Sequence, residues 1–280
     1  MNIGIRLHDT AGSNLAEHLA AAKAQGFTCV HLALARLIPG FTMNDAPALL
    51  TDELAAEVRA LLEKYGMECA VLGCYLNLAT PDEEELAGAY ACYKAHLRFA
   101  KAIGAGVVGT ETGAPNTAYA TVPECFTEES LQLFIDRVRP VVQYAEEIGA
   151  VLAIEPVCRH IVSTPQRARK VLDAIDSPSL QIILDTVNIL NMHNHTRMDE
   201  LVAQSIELFG DRIRVLHMKD YLPAEGAEDV LSMACGAGGM DYTRLLAFAK
   251  AHPGLPMTLE DTVPANAVAA REYLEKAAAQ

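Results

Sequence analysis

The sequence has no run of 18 or more consecutive apolar residues, so it offers no candidate for a membrane-spanning helix. It opens MNIGIRL, entering a strand pattern at once without the basic, apolar and cleavage regions of a secretory leader. A cytoplasmic protein is the expectation. Positive charge is scarce: 22 Lys and Arg stand against 36 Asp and Glu, a formal net charge of −14. That balance argues against partners whose affinity comes from neutralised phosphates, whether a nucleic acid or an anionic membrane surface. It suits a small ligand. None of the seven cysteines forms a CxxC pair and their number is odd, which argues against a zinc knuckle and a complete disulfide framework. Reduced thiols, mostly small core residues, are expected. No GxGxxG or GxxxxGK[ST] loop follows the first strand pattern, and no linker or low-complexity tract divides the chain.

What is present is a regular alternation. Strand-like runs occur at 2–7 (NIGIRL), 28–34 (TCVHLAL), 68–76 (ECAVLGCYL), 106–111 (GVVGTE), 151–155 (VLAIE), 180–185 (LQIILD), 212–218 (RIRVLHM) and 256–260 (PMTLE). Amphipathic stretches follow near 15–25, 49–65, 83–103, 128–149, 165–175, 198–209, 241–251 and 264–278. Thr127 before Glu128 and Glu129, and Thr164 before Pro165, read as helix starts; Gly26, Gly66, Gly104 and Gly149 read as helix ends. Continuous apolar strands alternating with helices require a parallel sheet covered by helices. Eight repeats predict a single-domain (β/α)8 TIM barrel over residues 1–280, with a doubly wound open sheet as the alternative.

In such a barrel the C-terminal strand ends share one mouth. Four successive runs end on Glu155, Asp185, His217 and Glu260, spaced by 30, 32 and 43 residues, each about one β-α unit. Three carboxylates converging there would be driven towards protonation unless a cation sat among them. One divalent metal ion resolves the conflict, and three oxygen ligands with one imidazole fit Mn²⁺, Co²⁺, Zn²⁺, Fe²⁺ or Mg²⁺.

The motifs IEPV, LDTVN, HMKD and LED at these positions resemble the xylose isomerase-like TIM barrel family, which holds sugar isomerases, ketose 3-epimerases, inosose dehydratases and, as relatives, nucleases of the endonuclease IV type. The resemblance runs over the whole chain and is most specific between 151 and 261. It implies that Glu155, Asp185, His217 and Glu260 form the single-metal ligand set. It also implies that the two glutamates serve as acid and base, so the expected activity is metal-dependent isomerisation or epimerisation of a small ketose or related carbohydrate by enediolate-type proton transfer. Dehydration of a keto-polyol on the same site, a non-catalytic sugar-binding barrel and an apurinic-site nuclease are the other readings. The nuclease requires several more histidines and a basic stripe that this sequence lacks. Homo-oligomers are implied by the resemblance alone. Two positions depart from the ketose 3-epimerase pattern: Asn188 stands where it has histidine, and its downstream arginine falls near Pro223.

Further candidates carry two readings each. Asn188 bonds a substrate hydroxyl or a metal-bound water, or caps its loop. Lys219 and Asp220 steady an enediolate oxygen or an imidazole, or pair with each other. Glu111, closing the fourth run, binds substrate hydroxyls or caps a helix. His8 and His160 line the pocket or are ordinary rim histidines. His193 and His195 belong to a lid or the surface. The stretch GAGGMD (236–241) offers N–H groups to a sugar phosphate or acts as a lid hinge.

Overall fold

Helix starts and stops are written into short polar side chains. Thr51, Asp82, Thr127 and Thr164 accept hydrogen bonds from the backbone N–H of Leu54, of Glu84 and Glu85, of Ser130 and of Arg167, and Pro165 follows the last. Gly66, Gly104 and Gly149 close the first three of these helices in the left-handed conformation, and Asp176 closes the fourth. The computed structural model describes residues 1–279. In chain order these comprise β1 (Asn2–Arg6), α1 (Leu15–Ala24), β2 (Cys29–Leu32), α2 (Leu34–Leu37), α3 (Ala46–Leu49), α4 (Asp52–Tyr65), β3 (Glu68–Gly73), α5 (Glu83–Ile103), β4 (Val107–Glu111) and α6 (Glu128–Ile148). There follow β5 (Leu152–Glu155), α7 (Pro165–Ile175), β6 (Leu180–Asp185), α8 (Met198–Phe209), β7 (Ile213–Met218), β8 (Asp220–Leu222), β9 (Leu231–Met233), α9 (Thr243–Ala251), β10 (Pro256–Leu259) and α10 (Ala267–Ala279).

Strands β1 to β7 and β10 pair in parallel and close on themselves, β10 lying between β7 and β1. The (β/α)8 barrel expected from the alternation is therefore the fold, and the open sheet is excluded. Inside the barrel sit small or branched residues, among them Cys29, Val71, Val107, Ala153, Ile183 and Val215. The larger apolar side chains fill the layer between strands and helices. The interior is a packed plug, which leaves polar chemistry to the mouth. Among the described residues no helix is long and apolar enough to cross a membrane.

Four points of the expected pattern need correction. The run 28–34 stops as a strand at Leu32, because Leu34 already opens α2, and the run 68–76 stops at Gly73. Beyond Gly73 the Tyr93 hydroxyl takes over, accepting from Leu76 N–H at 3.2 Å and donating to its carbonyl at 2.9 Å. The helix expected from residue 49 begins at Asp52, with α2 and α3 as separate short turns before it. Finally, β8 and β9 form an antiparallel hairpin above β7 that the alternating pattern did not announce.

That hairpin also decides the GAGGMD stretch and the expected Lys219–Asp220 pair. Asp220 is buried and accepts hydrogen bonds from the N–H groups of Tyr221 (2.8 Å), Gly236 (3.0 Å) and Met240 (2.8 Å). N–H groups at both ends of the glycine-rich loop are thus spent on an internal carboxylate, so the phosphate reading fails. Asp220→Ala leaves three N–H donors without their acceptor, two of them on the buried residues Tyr221 and Met240, and is expected to cost about 3 kcal/mol, measured by urea unfolding; an unchanged midpoint would refute this account of the loop.

Candidate metal and active site

The strand register delivers the site. Glu111 of β4 lies level with Glu155 of β5, and Asp185 of β6 lies level with His217 of β7. Glu260 follows directly on β10. Asp185, His217, Glu155 and Glu260 are all buried. The Nδ1 atom of His217 is 3.3 Å from Glu155 Oε2 and 3.3 Å from Glu260 Oε1, so the two glutamates flank one imidazole. Ligand-capable atoms of Glu155, Asp185 and His217 lie within 4.8 Å of one another, as do those of His31, His217 and Glu260. The four residues expected at the strand ends are brought together.

Two cations enter the same cage. Lys219 Nζ is 3.0 Å from Asp185 Oδ2, 3.1 Å from Glu260 Oε2 and 3.1 Å from the Asn188 side-chain Oδ1. It spans the site and is no partner of Asp220. Arg6, closing β1, places a guanidinium nitrogen 3.6 Å from Glu260 Oε2 and also pairs with Asp9 and Asp261. Asn188 donates a 2.6 Å hydrogen bond to Glu155 Oε1, so it connects Glu155 to Lys219 and is no mere loop cap.

The charges act on one another. Burial works against ionised Glu260, but His217 and Lys219 outweigh it and hold the carboxyl well below its ordinary range. Burial likewise works against protonated His217, and Glu260 and Glu155 override it, carrying the ring up to about 9. For Asp185, burial wins: despite Lys219, the carboxyl is pushed up to about 6. Both ring nitrogens of His217 are buried without a hydrogen-bond partner. Three carboxylates around an imidazole with uncommitted nitrogens form a donor set that fits a divalent ion with oxygen and nitrogen preferences.

The remaining candidates line the rim. Glu111 is pushed up to about 7 by burial and by Glu155. Tyr119 donates to it at 3.4 Å, and His160 Nδ1 lies 3.5 Å away. His160 is held down at about 4 by burial and Arg159, and its ring meets Tyr119 edge-on. His8 sits in a short turn past the end of β1, beside Asp9 at 3.7 Å; burial and Arg6 hold it at about 4. His193 is exposed and His195 packs on Tyr221, away from the cage. Tyr119 and Asp261, next to Glu260, both hold positive φ of 53°, local strain that flanks the mouth on two sides.

Four contributors escaped the sequence reading: Arg6, Asp9, His31 and Tyr75. His31 stacks on His217 with ring centroids 5.3 Å apart, and its Nδ1 is 3.4 Å from Glu260 Oε1. Tyr75 hydroxyl reaches its Nε2 at 3.3 Å. Gly73 makes that contact possible, since a Cβ there would come within 2.8 Å of the Tyr75 ring and 2.9 Å of His31 Nε2.

Residues 19–277 match the family model described as xylose isomerase-like TIM barrel, and the chain belongs to that family. Among curated proteins none matches the sequence. Solved structures with the same fold include 3-keto-D-glucoside 4-epimerase from E. coli, with a TM-score of 0.75 and 18% identity over 100% of both chains. Another is the probable 3-DHS dehydratase AsbF from Bacillus anthracis (TM-score 0.74, 14% identity, 98% of each chain). The IolI protein with a bound zinc atom also superposes, at a TM-score of 0.70 and 16% identity over 99% of this chain and 96% of that one.

Lys219→Met removes the cation lying between Asp185 and Glu260. The metal-free protein is expected to lose about 3 kcal/mol of stability, read by chemical unfolding in chelator, and to recover part of it on adding Mn²⁺. A variant as stable as wild type in chelator would show that Lys219 does not balance the cage.

Proposed function

We propose that this member of the xylose isomerase-like TIM barrel family is a divalent-metal-dependent isomerase or epimerase of a small ketose or related carbohydrate. The observation that carries the proposal is the convergence of Glu155 and Glu260 on His217, each with an oxygen 3.3 Å from the same ring nitrogen. Glu155, Asp185, His217 and Glu260 would hold the ion, whether Mn²⁺, Co²⁺, Zn²⁺, Fe²⁺ or Mg²⁺. When bound, it supplies a Lewis acid that polarises the substrate C=O and acidifies the neighbouring C–H.

The chain's own residues do the rest. Glu260, kept ionised by His217 and Lys219, accepts the carbon-bound proton; the C–H electron pair becomes the new C=C bond and the carbonyl π pair moves onto oxygen, giving an enediolate. Glu155, steadied by Asn188, returns a proton from the opposite face to epimerise; return to the adjacent carbon isomerises. The Glu111 carboxyl, pushed up to about 7, both donates and accepts at neutral pH, which suits sugar hydroxyls. Tyr119, His160 and His8 extend that polar wall. Epimerase and dehydratase relatives of the same fold support a carbohydrate-type substrate. The nuclease reading is weakened by Thr110 and Glu111 where it needs histidine, and by the net charge of −14.

Glu260→Gln is expected to lower substrate C–H exchange with D₂O by about 1000-fold while the circular dichroism spectrum stays that of wild type. Asp185→Ala is expected to lose about one equivalent of Mn²⁺ per chain by elemental analysis. Full activity in the first variant would overturn the proton-transfer assignment; full metal content in the second would overturn the ligand set. Loss of water from the substrate, with Glu260 still required, would identify a dehydratase.

A further inference from the structure

A second cluster of metal-competent side chains lies behind the barrel wall, outside the mouth. Cys74, Cys92 and His96 are 0%, 1% and 0% exposed. Cys74 is the first residue past β3, its N–H still bonded to the Gly109 carbonyl of β4 at 2.9 Å. Cys92 and His96 stand four residues apart on α5, hence on one helix face. The two Sγ atoms are 3.9 Å apart and His96 Nδ1 is 3.4 Å from Cys92 Sγ. One ligand atom from each residue falls within 4.8 Å of the others.

We propose that Cys74, Cys92 and His96 form a second, thiolate-based site for a zinc-like divalent ion, clipping the end of β3 to α5. The sulfur separation is the first argument. At 3.9 Å it is nearly twice the about 2.0 Å of a disulfide. It matches the about 3.8 Å edge of a tetrahedron with Zn–S bonds of about 2.3 Å. The imidazole is the second. His96 Nδ1 lies 2.9 Å from the Cys92 carbonyl, and Nε2 is buried with no partner. Nδ1 is the ring nitrogen placed beside Cys92 Sγ, so it is Nδ1 that would take the ion, in the tautomer that carries its proton on Nε2. Charge is the third argument. Binding M²⁺ releases one proton from each thiol, and two thiolates with a neutral imidazole then bring the site to zero net charge, as an apolar core requires.

Ligand softness separates the two sites. The mouth offers oxygen and imidazole donors, whereas this cluster offers sulfur and selects thiophilic ions. The clip has a consequence for the mouth because Cys74 directly precedes Tyr75, the residue that contacts His31.

The test is optical. The full-length protein is produced in minimal medium supplemented with Co²⁺, so that the buried site fills during folding, and its near-ultraviolet absorption and cobalt content are measured. A thiolate-to-cobalt charge-transfer band with about two Co²⁺ per chain is expected. Cys92→Ser should abolish the band and remove one equivalent; Asp185→Ala should remove the other and leave the band. The mouth has no thiolate and cannot produce that band, so the two proposals fail separately. Should Cys92→Ser not fold, Cys74→Ala carries the same reading, with circular dichroism as the check. A folded wild-type protein that holds cobalt at the mouth without the band would overturn the site. A metal-free Cys74–Cys92 disulfide found in the denatured protein would do so as well.

Discussion

The mouth is organised by the repulsion of three buried carboxylates. Two unit charges 4 Å apart repel by about 4 kcal/mol at an effective dielectric of about 20, so Glu155, Asp185 and Glu260 cannot be crowded together without compensation. The protein supplies part of it from within. Lys219 takes a position between Asp185 and Glu260, Arg6 approaches Glu260 from β1, and His217 sits between the glutamates. The compensation is uneven: Glu260, touched by Lys219, Arg6, His31 and His217, is held ionised, while Asp185 is pushed up to about 6. A cage that keeps one carboxylate charged and pushes another up by burial is consistent with the proton transfer and the ion proposed above.

Such a cage needs backing, and the backing is made from groups that never enter it. Asp220 consumes the N–H groups of Tyr221, Gly236 and Met240, which fixes the segment directly after Lys219. Tyr242 donates to the Lys219 carbonyl at 2.7 Å from the opposite direction. Across the barrel, the Tyr93 hydroxyl ties Leu76 to Thr110, so the turn that carries Tyr75 is locked to β4. Lysine carries many rotamers in solution; here its backbone is held on both sides, which lowers the entropy cost of placing the ammonium.

How much of this was legible in the sequence follows from where the polar residues lie relative to strand ends. Glu155, Asp185, His217 and Glu260 were readable because each closes an apolar run at the spacing of one β-α unit. His31 was hidden by the run TCVHLAL, which made it look like a mid-strand residue. The strand ends at Leu32, and the apolar letters beyond it belong to α2, a distinction that periodicity cannot draw over so few residues. Tyr75 was hidden in the same way by ECAVLGCYL. Pairing with Asp220 was one of the two readings of Lys219 because the two are neighbours in sequence, yet successive residues of an extended chain point to opposite faces. His217 and Lys219, two apart, share a face, and that signal was present in HMKD. Arg6 closes NIGIR just as Glu155 closes VLAIE, and the same rule applied to the first strand finds it.

The ring of strands divides into two kinds of wall. From β5 to β10 every barrel strand ends in a group able to ligate a divalent ion. From β1 to β4 the ends carry Arg6, His31, Tyr75 and Glu111, a guanidinium, a phenol and a near-neutral carboxyl around a single imidazole. A site built for several clustered metals would need ligands all round the ring. A site with ligands on one half and mixed hydrogen-bond donors and acceptors on the other is suited to one ion and one polyhydroxylated molecule lying across it. His31 joins the halves, stacked on His217 from one side and touched by Tyr75 from the other. Its ring is held neutral mainly by burial, so it adds no charge to the cage and can pass a hydrogen bond from the recognition wall to Glu260. Under the function proposed above, the orientation of a substrate along that wall would decide which of its carbons faces the glutamates, so recognition would set the chemistry as much as a bound ion.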